Sequence, residues 1–223
     1  MAWGMHQPSG LGDFFPDGDY VGWDEALKSY YDNEMSDEEK ASMRMSKRIS
    51  YTEFCARHRL DRGPLKPVEC PTEYLTVKGY KSLGDFILLN SMLLGVSTAF
   101  KEIVEDMEPG IHQFWPLKIL MPMNKVYPGT YFGLRIGQFL DTFNPDHSKD
   151  GCYNIRGYEE YRGIAPIKKA ITGLAVSREA IGAAHLWREQ KVTQPDYFFS
   201  DALQARLVGQ GLRLPKHFQM KEV

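Results

Sequence analysis

The stretch from Ser97 to the pair Pro109-Gly110 most constrains what this chain can fold into. Phe100, Ile103, Val104 and Met107 follow Ser97 at the spacing of one helical face. Ser97 is a favoured N-cap, because its hydroxyl can accept an orphan N–H of the first turn. Pro-Gly cannot continue a helix. The spacing therefore predicts a short helix, preceded by an apolar run over residues 88–96. Residues 112–121, with Phe114, Trp115, Leu117 and Ile119, read as a strand. Tyr127-Pro128-Gly129 then turns the chain, and residues 130–139 return as the second arm of an antiparallel hairpin.

The C-terminal end follows the same plan. Residues 197–199 read as a strand, and Ser200 caps a helix carrying Leu203, Leu207 and Val208. Gly209 and Gly211 end that helix, and residues 212–220 run extended. The two blocks share too few identities for a duplication. Residues 171–176 and 183–187 read as two further strands. Runs of strands with a few short helices, without strict strand–helix alternation, imply an α+β fold with a mainly antiparallel sheet and short Ser-capped amphipathic helices.

Nearer the start, residues 1–22 are rich in Gly and Pro and read as irregular. Phe14, Phe15 and Trp23 imply that the segment covers a surface. A first helix is expected near Asp24. A second is expected at Ser36, where Glu39 completes the spacing of a capping box. Gly63-Pro64 and residues 67–71 form a connector. The expected organisation is thus an irregular and helical N-terminal region, residues 1–70, and an α+β domain, residues 71–223.

With 43% hydrophobic and 25% charged residues in a chain of 223, the composition excludes wholesale disorder. Cys55, Cys70 and Cys152 match no metal-ligand spacing, and an odd count reads as reduced thiols. The opening Met-Ala-Trp-Gly-Met-His has neither the basic start nor the apolar core of a secretory signal. The most apolar stretch, residues 86–96, is broken by Asn90 and Ser91 and is too short to span a bilayer. A cytoplasmic protein with no membrane partner is expected. Residues 1–40 carry ten acids against two lysines, so this segment holds −8 of a chain whose net charge is −2. One reading is a solvated acidic face. The other is a docking surface for a basic partner, with Asp13, Asp17, Asp19, Asp32 and Glu34 as its candidates.

A search for chemistry finds no nucleophile elbow, no phosphate-binding loop and no His-Glu-x-x-His. Asp146-His147-Ser148-Lys149-Asp150-Gly151 mimics the first half of a calcium loop, but the twelfth position, which needs a bidentate carboxylate, is Gly157. It reads as a polar loop, so no metal and no cofactor are expected. His112 and His185 lie beside strand-like runs and are expected to hydrogen-bond locally. The basic cluster Arg44, Lys47, Arg48, Arg57, Arg59 and Arg62 is interspersed with Glu53 and Asp61, which reads as a solvated helix face and not as a nucleic-acid site.

Two ordered blocks carry a resemblance. The first is Val96-Ser97, Phe100, Pro109-Gly110, His112, Phe114 and Pro116. The second is His185, Trp187-Arg188 and Ser200-Asp201, followed by a Gly-containing turn. Over roughly residues 75–223 the chain resembles a bacterial immunity-protein family, first catalogued as a domain of unknown function and encoded beside polymorphic toxins. The resemblance leaves the preceding region uncovered. It implies a non-catalytic protein that protects its producer in bacterial competition by occluding the active site of a cognate toxin, such as a secretion-system effector, encoded by the adjacent gene. It supplies no catalytic residue and leaves the oligomeric state open. Two other readings stay open. An enzyme, such as a hydrolase reversing a toxin's modification, would show convergent acids or histidines in a pocket. A scaffold or regulatory module would show a self-complementary apolar patch.

Overall fold

Strands from the two ends of the chain lie side by side in one sheet. The computed structural model describes residues 1–42, 51, 54–55, 63–157, 160–165 and 167–223. The basic cluster Arg44, Lys47, Arg48, Arg57, Arg59 and Arg62 lies outside the described residues. The chain begins with β1 (Ala2–Met5), β2 (Gly18–Tyr20), α1 (Trp23–Asn33), α2 (Asp37–Ser42), β3 (Glu73–Thr76), β4 (Phe86–Leu88), β5 (Leu94–Ser97) and α3 (Thr98–Met107). The middle holds β6 (Gln113–Met121), β7 (Lys125–Val126), β8 (Tyr131–Arg135), β9 (Phe139–Leu140), β10 (Tyr153–Gly157), β11 (Glu160–Gly163), α4 (Lys168–Ile171) and β12 (Ala175–Val176). It ends with α5 (Arg178–Ile181), β13 (Leu186–Glu189), β14 (Tyr197–Ser200), α6 (Asp201–Gly209), β15 (His217–Gln219) and β16 (Lys221–Glu222).

The result is a mixed α+β architecture. The two larger sheets run β2-β3-β6-β8-β5-β4, with β7 also paired to β6, and β15-β1-β14-β13-β9; β10–β11 and the parallel pair β12–β16 form two-stranded sheets. Most neighbours are antiparallel, while β3–β6 and β13–β9 are parallel.

The two sheets share a core. Phe86, Val96 and Leu134 from the first meet Met5, Leu186 and Phe199 from the second, beneath Phe100, Ile103 and Val104 of α3 and Leu203 and Leu207 of α6. The Phe86 ring lies 5.5 Å from Phe100 and 6.3 Å from Phe199. Burying each such aromatic contributes about 2–3 kcal/mol, so the helices hold the sheets together through side chains spaced three and four apart.

Both helices begin at a serine. The Ser97 Oγ accepts from the Phe100 N–H at 3.3 Å, and the Ser200 Oγ accepts from the Leu203 N–H at 3.1 Å. After α3 the chain turns at Gly110, whose φ of 72° suits glycine. At α2, Ser36 and Glu39 exchange side-chain and backbone hydrogen bonds of 3.1 and 3.3 Å.

Several expected elements are corrected. Residues 1–22 are not wholly irregular: β1 pairs with both β14 and β15, and β2 pairs with β3. The run 88–96 is interrupted by a 3-10 turn, Asn90–Met92, so β4 and β5 form a hairpin. Within 130–139 the strand ends at Arg135, and β9 joins the other sheet. In 171–176 only Ala175–Val176 is strand; Ile171 ends α4 and is buried with Leu174, since an apolar run records burial without fixing the period. In 183–187 the strand starts only at Leu186, after the turn at Gly182. Of 212–220 only His217–Gln219 is strand.

Candidate functional site

The residues of the two motif blocks converge on one buried carboxylate that neither block contains. Glu108 follows the last turn of α3 and is 6% exposed. One oxygen accepts from the His185 N–H and the Gln138 side-chain amide, both at 2.6 Å. The other accepts from His112 Nε2 at 2.8 Å and the Leu186 N–H at 3.0 Å. Four donors thus reach it from α3's exit, the β8–β9 connection and β13. Burial alone would raise the Glu108 carboxyl, but the hydrogen bonds from His112, His185 and Gln138 outweigh it and leave its pKa below the ordinary value.

The same geometry sets the His112 tautomer. Its Nδ1 accepts from the Gly137 N–H at 3.2 Å, so the proton sits on Nε2 and points at Glu108. Gly137 is required by close approach, since a Cβ there would lie 2.0 Å from the Ile111 carbonyl oxygen. The hub therefore clamps the exit of α3 against the start of β13, one sheet against the other. Every Glu108 contact is spent inside the protein, which suits a structural clamp.

His185 links the hub to α6, for its Nδ1 lies 2.7 Å from the Ser200 Oγ. The pair borders a cavity of about 510 Å³ also lined by Trp187 and Asp201. Its chemistry stops there, because Glu108 takes the backbone N–H of His185 and not its ring. Asp201 accepts from the Trp3 indole at 3.0 Å. Trp187 is fully buried against Phe198, with ring centroids 5.7 Å apart. Phe114 is half-buried with Lys101 over its ring, and Pro116 is exposed opposite Phe132 on β8. Arg188 lies over the ring of Phe139.

The acidic residues form an outer face, and the structure divides them. Burial raises the Tyr74 hydroxyl's pKa, and the charges of Asp19 and Asp17 add to it. Tyr20 is raised by burial and then by Tyr74, Asp19 and Asp24. Tyr51 is raised by burial, by Cys55, and by Asp24 and Asp32. These shared tyrosines place Asp17, Asp19, Asp24 and Asp32 along one strip. A cleft of about 330 Å³ opens on it, lined by Trp23, Asp24, Lys28, Tyr51 and Ser91. Asp32 is paired with Lys28 at 2.8 Å. Glu34 is exposed just beyond α1. Asp13 is drawn elsewhere, paired with Arg213 at 2.6 Å.

Glu108 and Gln138 are the residues that sequence reasoning missed as site members. Glu108 and His112 stand four apart, a spacing that could have flagged the first; Gln138 carries no such signal. The calcium-like loop is held by the Ser148 hydroxyl, which donates to the Asn144 carbonyl at 2.7 Å and accepts from the Ala175 N–H at 2.8 Å. Among the described residues no group of three or more His, Cys, Asp or Glu side chains could hold a metal ion. No helix of the described residues is long and apolar enough to cross a membrane.

Of the motif residues, His112, His185 and Ser200 are tied together by internal hydrogen bonds around Glu108. Residues 31–219 match the model of the immunity protein family Imm11, and the chain belongs to that family. The match begins well before residue 75, so the expectation that the preceding region is uncovered is corrected: Asp32 and Glu34 fall inside the family match, and Asp13, Asp17 and Asp19 before it. No curated protein matches the chain.

Proposed function

We propose that this protein binds a cognate toxin domain, encoded by the adjacent gene, and occludes its active site without catalysing any reaction. Membership of the Imm11 family carries the reading. It acts in the cytoplasm, where it guards its producer against a toxin used in competition between bacteria. A toxin inside its own producer must be held almost fully inactive, which calls for nanomolar affinity, about −12 kcal/mol, and an interface of roughly 800 Å² per partner.

The acidic strip is the part of that interface we assign. Asp19, Asp24 and Asp32 are exposed and Asp17 is half-buried, and Asp24 lines the cleft beside them. A basic toxin, such as a nuclease, would be steered onto it, and these acids would compete with its anionic substrate. Asp13, tied to Arg213, contributes least. The test is stopped-flow association with the adjacent gene's product, comparing wild type with the Asp17→Lys, Asp19→Lys, Asp32→Lys, Glu34→Lys variant. Association should slow by about tenfold or more at low salt and lose its salt dependence. An unchanged on-rate removes the strip from the interface; failure of the wild type to bind removes the function.

A second reading, a hydrolase that reverses a toxin's modification, draws on the Ser200–His185 pair beside its cavity. It requires Ser200→Ala to abolish protection at a temperature where that variant remains folded.

A further inference from the structure

We propose that the cleft between β10, β11, β13 and the segment 192–196 binds the phosphate group of a small molecule through Arg156, Arg162 and Arg188. This goes beyond toxin binding and does not depend on it. The cleft encloses about 420 Å³ and is lined by all three arginines, a size typical of small-molecule sites.

Among the described residues none of the three arginines forms an ion pair with a carboxylate. Three guanidinium groups around one concavity repel one another, and an anion between them relieves that repulsion. The carboxylates that also border the cleft are committed elsewhere. Glu189 accepts from the Thr142 N–H at 2.9 Å and from the Thr142 hydroxyl. Asp196 accepts from the Gln7 N–H at 3.0 Å and lies 3.6 Å from His6 Nδ1.

Two of the arginines are already oriented. Arg162 Nε donates to the Gln194 side-chain oxygen at 3.1 Å, which leaves its terminal amino groups for a ligand. Gln194 is itself anchored, its carbonyl accepting from the Gly163 N–H at 3.1 Å. Arg188 stacks over Phe139, its register partner on β9, with the guanidinium carbon 5.3 Å from the ring centroid. Arg156 is exposed at the rim. Planar forks held in place suit the bidentate recognition of phosphate oxygens. Met92, in left-handed backbone with φ 61°, forms part of the lining, while its neighbour Ser91 lines the cleft of the acidic strip. The phosphate site and that strip therefore meet at one turn.

The experiment is calorimetric titration of the full chain at low ionic strength with pyrophosphate, inorganic phosphate, ADP and, as a carboxylate control, citrate. Pyrophosphate or ADP should bind saturably at one site per chain. The Arg156→Gln, Arg162→Gln variant should weaken that binding by at least tenfold, about 1.4 kcal/mol, with unchanged melting temperature. Lys125→Gln, on β7 in the other sheet, should bind as wild type. Tighter binding of ADP than of pyrophosphate assigns a nucleotide, and the reverse a free inorganic anion; either supports the site. Binding that does not saturate, citrate binding equal to that of every phosphate, or full affinity in the double arginine variant overturns the proposal.

Discussion

Replacing Glu108 by Gln tests the buried hub. The carboxylate accepts four hydrogen bonds, two on each oxygen. Glutamine turns one oxygen into an NH₂ donor that faces two existing donors. The Gln138 amide can flip to relieve one clash, but the His185 and Leu186 N–H groups are backbone, and His112 is held in its tautomer by Gly137. At least one buried N–H is therefore left without an acceptor, at a cost of about 1–3 kcal/mol. Removing the charge lowers the desolvation cost and offsets part of this, so a net loss of about 2 kcal/mol is expected. For a chain of this size that corresponds to a fall of roughly 4–8 °C in Tm at pH 7. The pH dependence has a definite sign. The Glu108 pKa lies below its ordinary 4.5 when folded, so its contribution is present above that value and is lost as pH falls through the folded pKa. The gap between wild type and Glu108→Gln should narrow in acid. Thermal melts of both proteins across this range decide it; a variant that melts within about 1 °C of wild type at pH 7 refutes the clamp.

Ser97→Ala and Ser200→Ala should each lower stability by about 1 kcal/mol in urea unfolding, since each hydroxyl accepts a first-turn N–H. Gly137→Ala should destabilise by more than either cap, because its Cβ would lie 2.0 Å from the Ile111 carbonyl oxygen; a melt indistinguishable from wild type contradicts that contact.

What was legible in the sequence was local. The serine before α3, its apolar spacing and the Pro109-Gly110 stop act within one segment, and the helix ends at Met107. The same holds for α6 and for the capping box at Ser36. The turn at Asn90–Met92 was not legible, because Ser91 and Met92 adopt left-handed backbone without being glycine. Nor was the place of β1, which sits between strands from the far end of the chain. His112, His185 and Ser200 stood out in the sequence, and the structure links them. The group that unites them, Glu108, looked like an ordinary acid at a helix end, since its donors come from residues up to 78 positions away. The acidic excess was plain from composition, but its division was not: Asp13 answers to Arg213, two hundred residues on.

The central claim, that protection comes from stoichiometric binding and not from turnover, is tested by titrating the adjacent gene's toxin with this protein while recording toxin activity. Residual activity should fall linearly and vanish at one equivalent, as it does for an inhibitor whose Kd lies well below the working concentration. Complete protection by a small fraction of an equivalent, growing with incubation time, would mean that the protein acts catalytically, and would contradict the account.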